Sequence, residues 1–325
     1  MKSLAFLQQR SVNLAIVIAM IAVAVAVTQP AFTGVGNIRN ILLDITIITV
    51  MAATQVLVVI TGNFDISIGA TTGLSAMSAG IVLQNVGDFP AILVFVISIG
   101  VGLLVGIVNA ILVITIQIPS IILTLGMLSV IRGVTFYVAG GSQVNTEDVP
   151  ESIISLSQSG PFGVPWLVVI AALIALALGV FARSTSTGRN LYALGSNPKA
   201  AALQGLPVKR LLFLVFALSG ASAGLAGAFY LSRFGFVQVN AGLGLELTVI
   251  AAVVVGGASV FGGVGGVAGA ALGCLLLGVI GNAFAILGIS QYWQDFAYGT
   301  IILLAVVADA VLNRSRARGV NGVRA

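Results

Sequence analysis

The sequence has no histidine, one cysteine and few charges: 7% of its 325 residues, against about 25% in a soluble domain. Without histidine, and with scattered acidic residues, a metal site or a histidine-based catalytic constellation is excluded or nearly so. Cys274 forms no internal disulfide, and within its apolar stretch it reads as a small hydrophobe. So few charges cannot clothe a water-facing surface of this size. Length alone would allow two soluble domains, but 59% hydrophobic residues and a mean hydropathy of +1.17 override that prior. The chain reads as a membrane protein.

Apolar runs long enough to cross a core of about 30 Å, roughly 20 residues each, cover 12–27, 40–61, 65–86, 91–115, 119–139, 163–182, 211–231, 246–262, 265–286 and 296–312. The expected fold is therefore an all-α polytopic membrane protein of about ten spans, one transmembrane domain over residues 1–325. The net charge of +5 is clustered rather than spread. Lys2 and Arg10 precede the first span, five bases and no acid lie in 183–210, and four arginines fall between Arg314 and Arg324. Glu147, Asp148 and Glu151 share a different loop, 140–162, which has no base. With both termini cytoplasmic, parity puts 140–162 outside and 183–210 inside, as the positive-inside rule requires. No nucleic-acid partner is needed to explain the charge.

Two readings fit the first span: a retained helix, or a cleavable signal peptide with basic flank, short apolar run and small residues Ala24 and Ala26. The central basic loop divides the spans five and five. If spans 2–5 correspond to spans 7–10, the offset is odd and the halves are inverted, a plan common in transporters.

The segment 183–210 carries helix punctuation. Asn197 suits an N-cap, Pro198 the first helical position and Gly205 the left-handed residue after the last turn. About two helical turns are expected between them, roughly 10 Å long, with Ala200, Ala201 and Ala202 offering close approach. So short a helix is not stable alone in water. It either packs on another protein or forms a solvated connector.

The glycine-rich run 256–269 lacks the Gly-Lys-Ser/Thr ending of a phosphate-binding loop, and no such motif occurs elsewhere. Gly265, Gly269 and Gly273 recur every four residues and read as a close-packing helix face, as do Gly102 with Gly106 and Gly220 with Gly224. A turn or hinge at 262–266 is the other reading. Asp65 lies among apolar residues between Gly62 and Gly69, either as part of a broken helix lining a pathway or as a cap at a helix end. Asp65, Ser67, Thr124 and Asn282 are the candidate pathway or gate residues. Arg132 reads as a snorkelling side chain or a pathway group. Asp44, Asn109 and Gln55 are lone polar groups on spans.

The blocks Gly188-Arg189-Asn190, Ala193-Leu194-Gly195, Asn197-Pro198 and Ala200-Ala201, followed by Gly205, closely resemble the coupling loop of ribose-type ABC transporter permeases. Gly62 to Gly69 resembles the family's Gly-Gly-Ile-Asp-Leu-Ser-Val-Gly block, departing at Asn63, Phe64 and two aliphatic positions. Pro119-Ser120, Leu123 to Gly126 and Arg132-Gly133 resemble the block of the fifth span. Ser219-Gly220, Gly224, Ala226-Gly227, Ile250 to Ala252, Gly256-Gly257 and Gly262-Gly263 continue the collinear pattern from about Asn37 to Asp309.

The resemblance implies a multi-pass protein of the bacterial inner membrane that keeps its first span and is not itself an enzyme. It implies a coupling helix in which Asn197, Pro198, Ala200, Ala201 and Gly205 dock on a cytosolic ATP-binding subunit. It further implies a second permease copy or close paralogue and a periplasmic solute-binding protein. The chain would hold no cofactor, ATP and magnesium being used by the partner. The implied cargo is a sugar or sugar-like solute. Nucleosides or branched-chain amino acids carried by the same machinery, or a stand-alone secondary transporter, are the alternatives.

Overall fold

A computed structural model describes residues 2–86 and 90–321, with side chains left undescribed over 2–11, at 305 and over 308–321. Arg324 lies outside the described residues, as do the side chains of Lys2, Arg10, Arg314, Arg316 and Arg318. The described chain is helical apart from short connections, with a single β-bridge, Val144 to Val237. In order the helices are α1 (Lys2–Thr28), α2 (Val35–Ile60), α3 (Ile68–Val86), α4 (Ala91–Ile116), α5 (Ser120–Ala139), α6 (Glu151–Gln158) and α7 (Trp166–Ser184). They continue with α8 (Ser186–Ser196), α9 (Pro198–Leu203), α10 (Val208–Phe234), α11 (Leu245–Val255), α12 (Val267–Ile286) and α13 (Gln291–Asn321). Six of them, α2, α4, α5, α7, α10 and α12, are long and apolar enough to cross a membrane. The other four expected spans fall on α1, α3, α11 and α13.

Helices α1, α2 and α13 extend beyond the apolar runs, whereas two expected spans are cut short, and glycine explains both. The span expected over 65–86 begins as helix only at Ile68, because Gly62 at φ +78° ends the preceding turn and 63–65 run without helix. The span expected over 246–262 stops at Val255. Gly257, Gly262 and Gly263 take φ of +95°, +85° and +74°, so 256–266 is a compact turn. The resulting α11 has 11 residues, about 16 Å by the usual rise, half of what a crossing needs. Gly265 stands in that turn at φ +152°, before α12 starts, so it is not on one helix face with Gly269 and Gly273.

The central helix is α10, packed on α2, α3 and α4. Lipid tails are as apolar as these side chains, so contact rather than exclusion of water holds the helices together. Contact needs small residues. A Cβ on Gly102 would lie 2.6 Å from Gly224 Cα, and one on Gly106 would lie 2.9 Å from Gly220 Cα. The two glycine pairs thus face each other where α4 crosses α10. Gly273 sits against Ala252 and Gly269 against Gly256, closing α12 on α11 and its following turn. The packing repeats across the halves: α4 on α10 is matched by α12 on α2, and α3 on α4 by α11 on α12.

The bundle has two chemically distinct ends. At one, the Val144–Val237 bridge and the Ser232 hydroxyl on Ile153 O (2.6 Å) hold the acidic segment 140–162, and the Arg233–Asp44 ion pair (3.1 Å) joins α10 to α2. The basic segment 183–210 lies at the other, joined to the end of α2.

Candidate functional site

The basic segment is more structured than its sequence suggested. Thr185 caps α8 by accepting from the Gly188 amide at 2.9 Å, and Asn197 caps α9 by accepting from the Ala200 amide at 3.0 Å. Pro198 opens α9. At its end Gly205 has φ +77°, its amide reaching Ala202 O and the Leu206 amide reaching Ala201 O. These paired bonds satisfy the last carbonyls in the manner that needs a left-handed residue. Asn197, Pro198 and Gly205 are exposed and Ala200 is partly so, but Ala201 faces inward at 3% exposure. Leu203, which the sequence did not single out, is 90% exposed. An apolar side chain standing out among five bases is the most distinctive group on this surface.

This segment is tied to the interior through backbone contacts that only glycine permits. Gly195 lies against the Ile60 carbonyl, where a Cβ would come within 2.9 Å of the carbonyl carbon. The same Ile60 carbonyl accepts from the Gly263 amide at 2.8 Å. The Tyr192 hydroxyl donates to Gly265 O at 3.1 Å. Burial raises the Tyr192 phenol above its ordinary value, and nearby Arg183 opposes that. Thus α8, the end of α2 and the 256–266 turn meet at one point.

From Ile60 the chain runs directly into a buried polar cluster. Asp65, 2% exposed, accepts from the Ser67 amide (3.1 Å) and hydroxyl (2.6 Å) on one oxygen. Its other oxygen accepts from Ser219 of α10 at 2.7 Å. Asn109 of α4 donates to the Ser67 hydroxyl at 2.8 Å. The start of α5 grips the same stretch: Ser120 Oγ accepts from the Phe64 amide (3.0 Å), and Thr124 Oγ1 from the Ile66 amide (3.0 Å). Asp65, Ser67 and Thr124 therefore converge, joined by Ser219, Asn109 and Ser120. Asn282 does not join them. It forms a reciprocal amide pair with Asn37, 2.9 Å in each direction.

A second buried junction lies where α11 begins. Glu246, 7% exposed, accepts on Oε1 from the Gly244 amide at 3.2 Å, while Oε2 has no partner. Arg132 turns inward rather than snorkelling. Its Nη1 donates to Ala241 O at 2.6 Å, and Nε and Nη2 are buried without partners. The two charges attract one another without forming a direct ion pair. Gly69 and Gly73 of α3 leave space for this turn, a Cβ on Gly69 falling 2.9 Å from the Glu246 amide. Sequence reading passed over Glu246 because it opens what looked like an uninterrupted apolar span. Among the described residues no group of three or more His, Cys, Asp or Glu could hold a metal.

A helical bundle with broken helices, buried polar junctions and a basic segment at one end is the architecture of a polytopic membrane protein. Residues 37–306 match the family described as Branched-chain amino acid transport system / permease component, and the chain belongs to that family. Among its relatives is the Autoinducer 2 import system permease protein LsrC of Enterobacter sp. (strain 638), 36% identical over 98% of this chain and 91% of the relative. The Ribose import permease protein RbsC of Escherichia coli (strain K12) is 35% identical over 88% of this chain and 89% of its own length. RbsC of Haemophilus influenzae is 33% identical over 95% of each. No solved structure matches. The chain is a multi-pass protein of the inner membrane.

Proposed function

We propose that this chain is the pore subunit of an ATP-driven importer for a sugar or sugar-like solute delivered by a periplasmic binding protein. It works with a cytosolic ATP-binding subunit and a second permease copy or close paralogue. ATP and magnesium belong to that ATP-binding subunit. All of residues 1–325 form one permease domain of ten spans, with the basic end and both termini cytoplasmic.

The observation that carries this reading is continuity. The exposed helix α9, with Leu203 outermost, is rigidly capped and leads through Gly195 and Ile60 to the Asp65 cluster. Displacing α9 therefore pulls on the backbone that positions Asp65 and Ser67 between α4, α5 and α10. Relatives named for ribose and autoinducer-2 import support the sugar-like cargo. The family description supports a branched-chain amino acid instead.

The test is purification from native membranes in mild detergent, with mass spectrometry of copurifying chains. An ATPase carrying its own phosphate-binding loop is expected, with a binding protein whose ligand preference between sugars and branched-chain amino acids names the cargo. A chain that repeatedly purifies alone, and transports after reconstitution without ATP, would contradict the proposal.

A further inference from the structure

Between α2, α7 and α12 lies a groove of about 810 Å³, lined by neither the Asp65 cluster nor the Glu246 junction. It exists because α7 presents Ala171, Ala175 and Gly179 where larger residues would close the gap. A Cβ on Gly179 would meet Val267 only at 3.8 Å. Most of the lining is aliphatic, and Leu176 and Val180 on its rim are 64% and 53% exposed. An apolar cleft of this size is poorly suited to water and is of the size that holds a small ligand.

The groove changes character at the basic end of the bundle, where Arg183, Ser184, Tyr192 and Gly266 line it. Arg183 is exposed, and among the described residues its guanidinium makes neither an ion pair nor a hydrogen bond. Arg189 adds a second guanidinium beside it, donating to Ser184 O at 3.1 Å. No acid occurs anywhere between 152 and 245, so nothing on this stretch of chain neutralises them. From Val168 to Ser184 the α7 wall runs about 24 Å, longer than one leaflet of a hydrocarbon core of about 30 Å.

We infer that this groove is a binding site for an anionic phospholipid, one acyl chain lying along α7 and the phosphate on Arg183. Basic pockets between transmembrane helices at the cytoplasmic level recognise such headgroups. The guanidinium of Arg183 supplies charge and directed donors together. The headgroup would sit beside the Tyr192–Gly265 hydrogen bond, at the point where α8 is fastened to the 256–266 turn. The bound lipid thereby braces the docking segment against the bundle. The inference rests on the proposed cytoplasmic placement of the basic end and not on which solute is carried.

The experiment is native mass spectrometry of the full-length protein ejected from nanodiscs of equal phosphatidylglycerol and phosphatidylethanolamine. The wild type should retain one phosphatidylglycerol in preference to phosphatidylethanolamine. Arg183→Gln, a change on an exposed side chain, should lower that retention about fivefold and erase the headgroup preference. Gly179→Leu, which narrows the groove beside Val267, should lower the retention of both lipids, with its fold checked by thermal unfolding. Undiminished phosphatidylglycerol on Arg183→Gln would overturn the headgroup assignment, whether or not Gly179→Leu folds. A disulfide-linked dimer of Leu176→Cys in membranes would overturn the proposal too, giving the groove to a second copy of the chain.

Discussion

At the break before α3, Asp65 has partners for both oxygens, drawn from its own turn and from α10. At the start of α11, Glu246 has a partner for one oxygen only, and the facing Arg132 leaves two nitrogens unused. Both carboxylates are buried in segments of a chain that crosses hydrocarbon, where an unmatched charge is expensive. The first junction is built to stay as it is, since any shift of α3 against α10 breaks a good hydrogen bond. The second has spare donors and acceptors, so rearranging it breaks little. Under the proposed importer function, the satisfied junction would be the pivot that takes the pull from α9 without coming apart, and the unsatisfied one the place where contacts are exchanged.

The largest effect should come from attacking the pivot. Replacing Asp65 with leucine removes three hydrogen bonds and leaves the buried Ser219 hydroxyl without the carboxylate it donates to. We expect a loss of about 2–4 kcal/mol of stability, read from thermal unfolding in detergent. A melting curve unchanged from wild type would contradict the pivot role. The second junction should behave differently. Glu246→Gln alone strands the Arg132 charge, whereas the double variant Arg132→Met, Glu246→Gln removes both charges and should unfold within about 1 kcal/mol of wild type. If the double variant is as unstable as the single, the junction is a structural brace and the comparison fails.

The smallest effect lies outside both junctions. Asp148, in the acidic segment, accepts from Gln84 (2.8 Å) and from the Asn145 amide (2.9 Å). The hydrogen bond from Gln84, and then that from Asn145, hold its carboxyl below the usual carboxylate range. The folded value being depressed, its contribution is present above the unfolded value of about 3.9. That contribution is lost as pH falls through the folded value. Amide exchange at 145–149, corrected for intrinsic rate, should show protection lost below about pH 3.9, while residues 64–67 stay protected. Simultaneous loss at both places would mean that the acidic segment and the pivot are not independent.

Helix positions were legible from apolar runs, and the α9 caps from Asn197, Pro198 and Gly205, because those signals are local. The breaks were legible as glycine clusters but not as boundaries, since hydropathy does not register the φ of Gly62 or Gly257. Ser67 was singled out beside Asp65, but the distant partners could not be read, because Ser219 lies 154 residues away and Asn109 reaches Asp65 only through Ser67. Helix α8 was missed for a related reason. Gly188 and Gly195 look like helix breakers, yet they are the points where the helix touches the Phe181 and Ile60 carbonyls. Leu203 escaped notice because an apolar residue in an apolar chain stands out only once its exposure is known.

The most direct test of the whole account is ATP-driven solute uptake by vesicles carrying the assembled transporter with Gly205→Val. Gly205 has φ +77°, and a Cβ there would meet no heavy atom within 4 Å, so valine strains the backbone without a clash. The account predicts that the variant reaches the membrane and purifies at wild-type yield while uptake collapses, because α9 no longer presents its docking face. Normal uptake by Gly205→Val would contradict the assignment of α9 as the element through which ATP hydrolysis moves the pore.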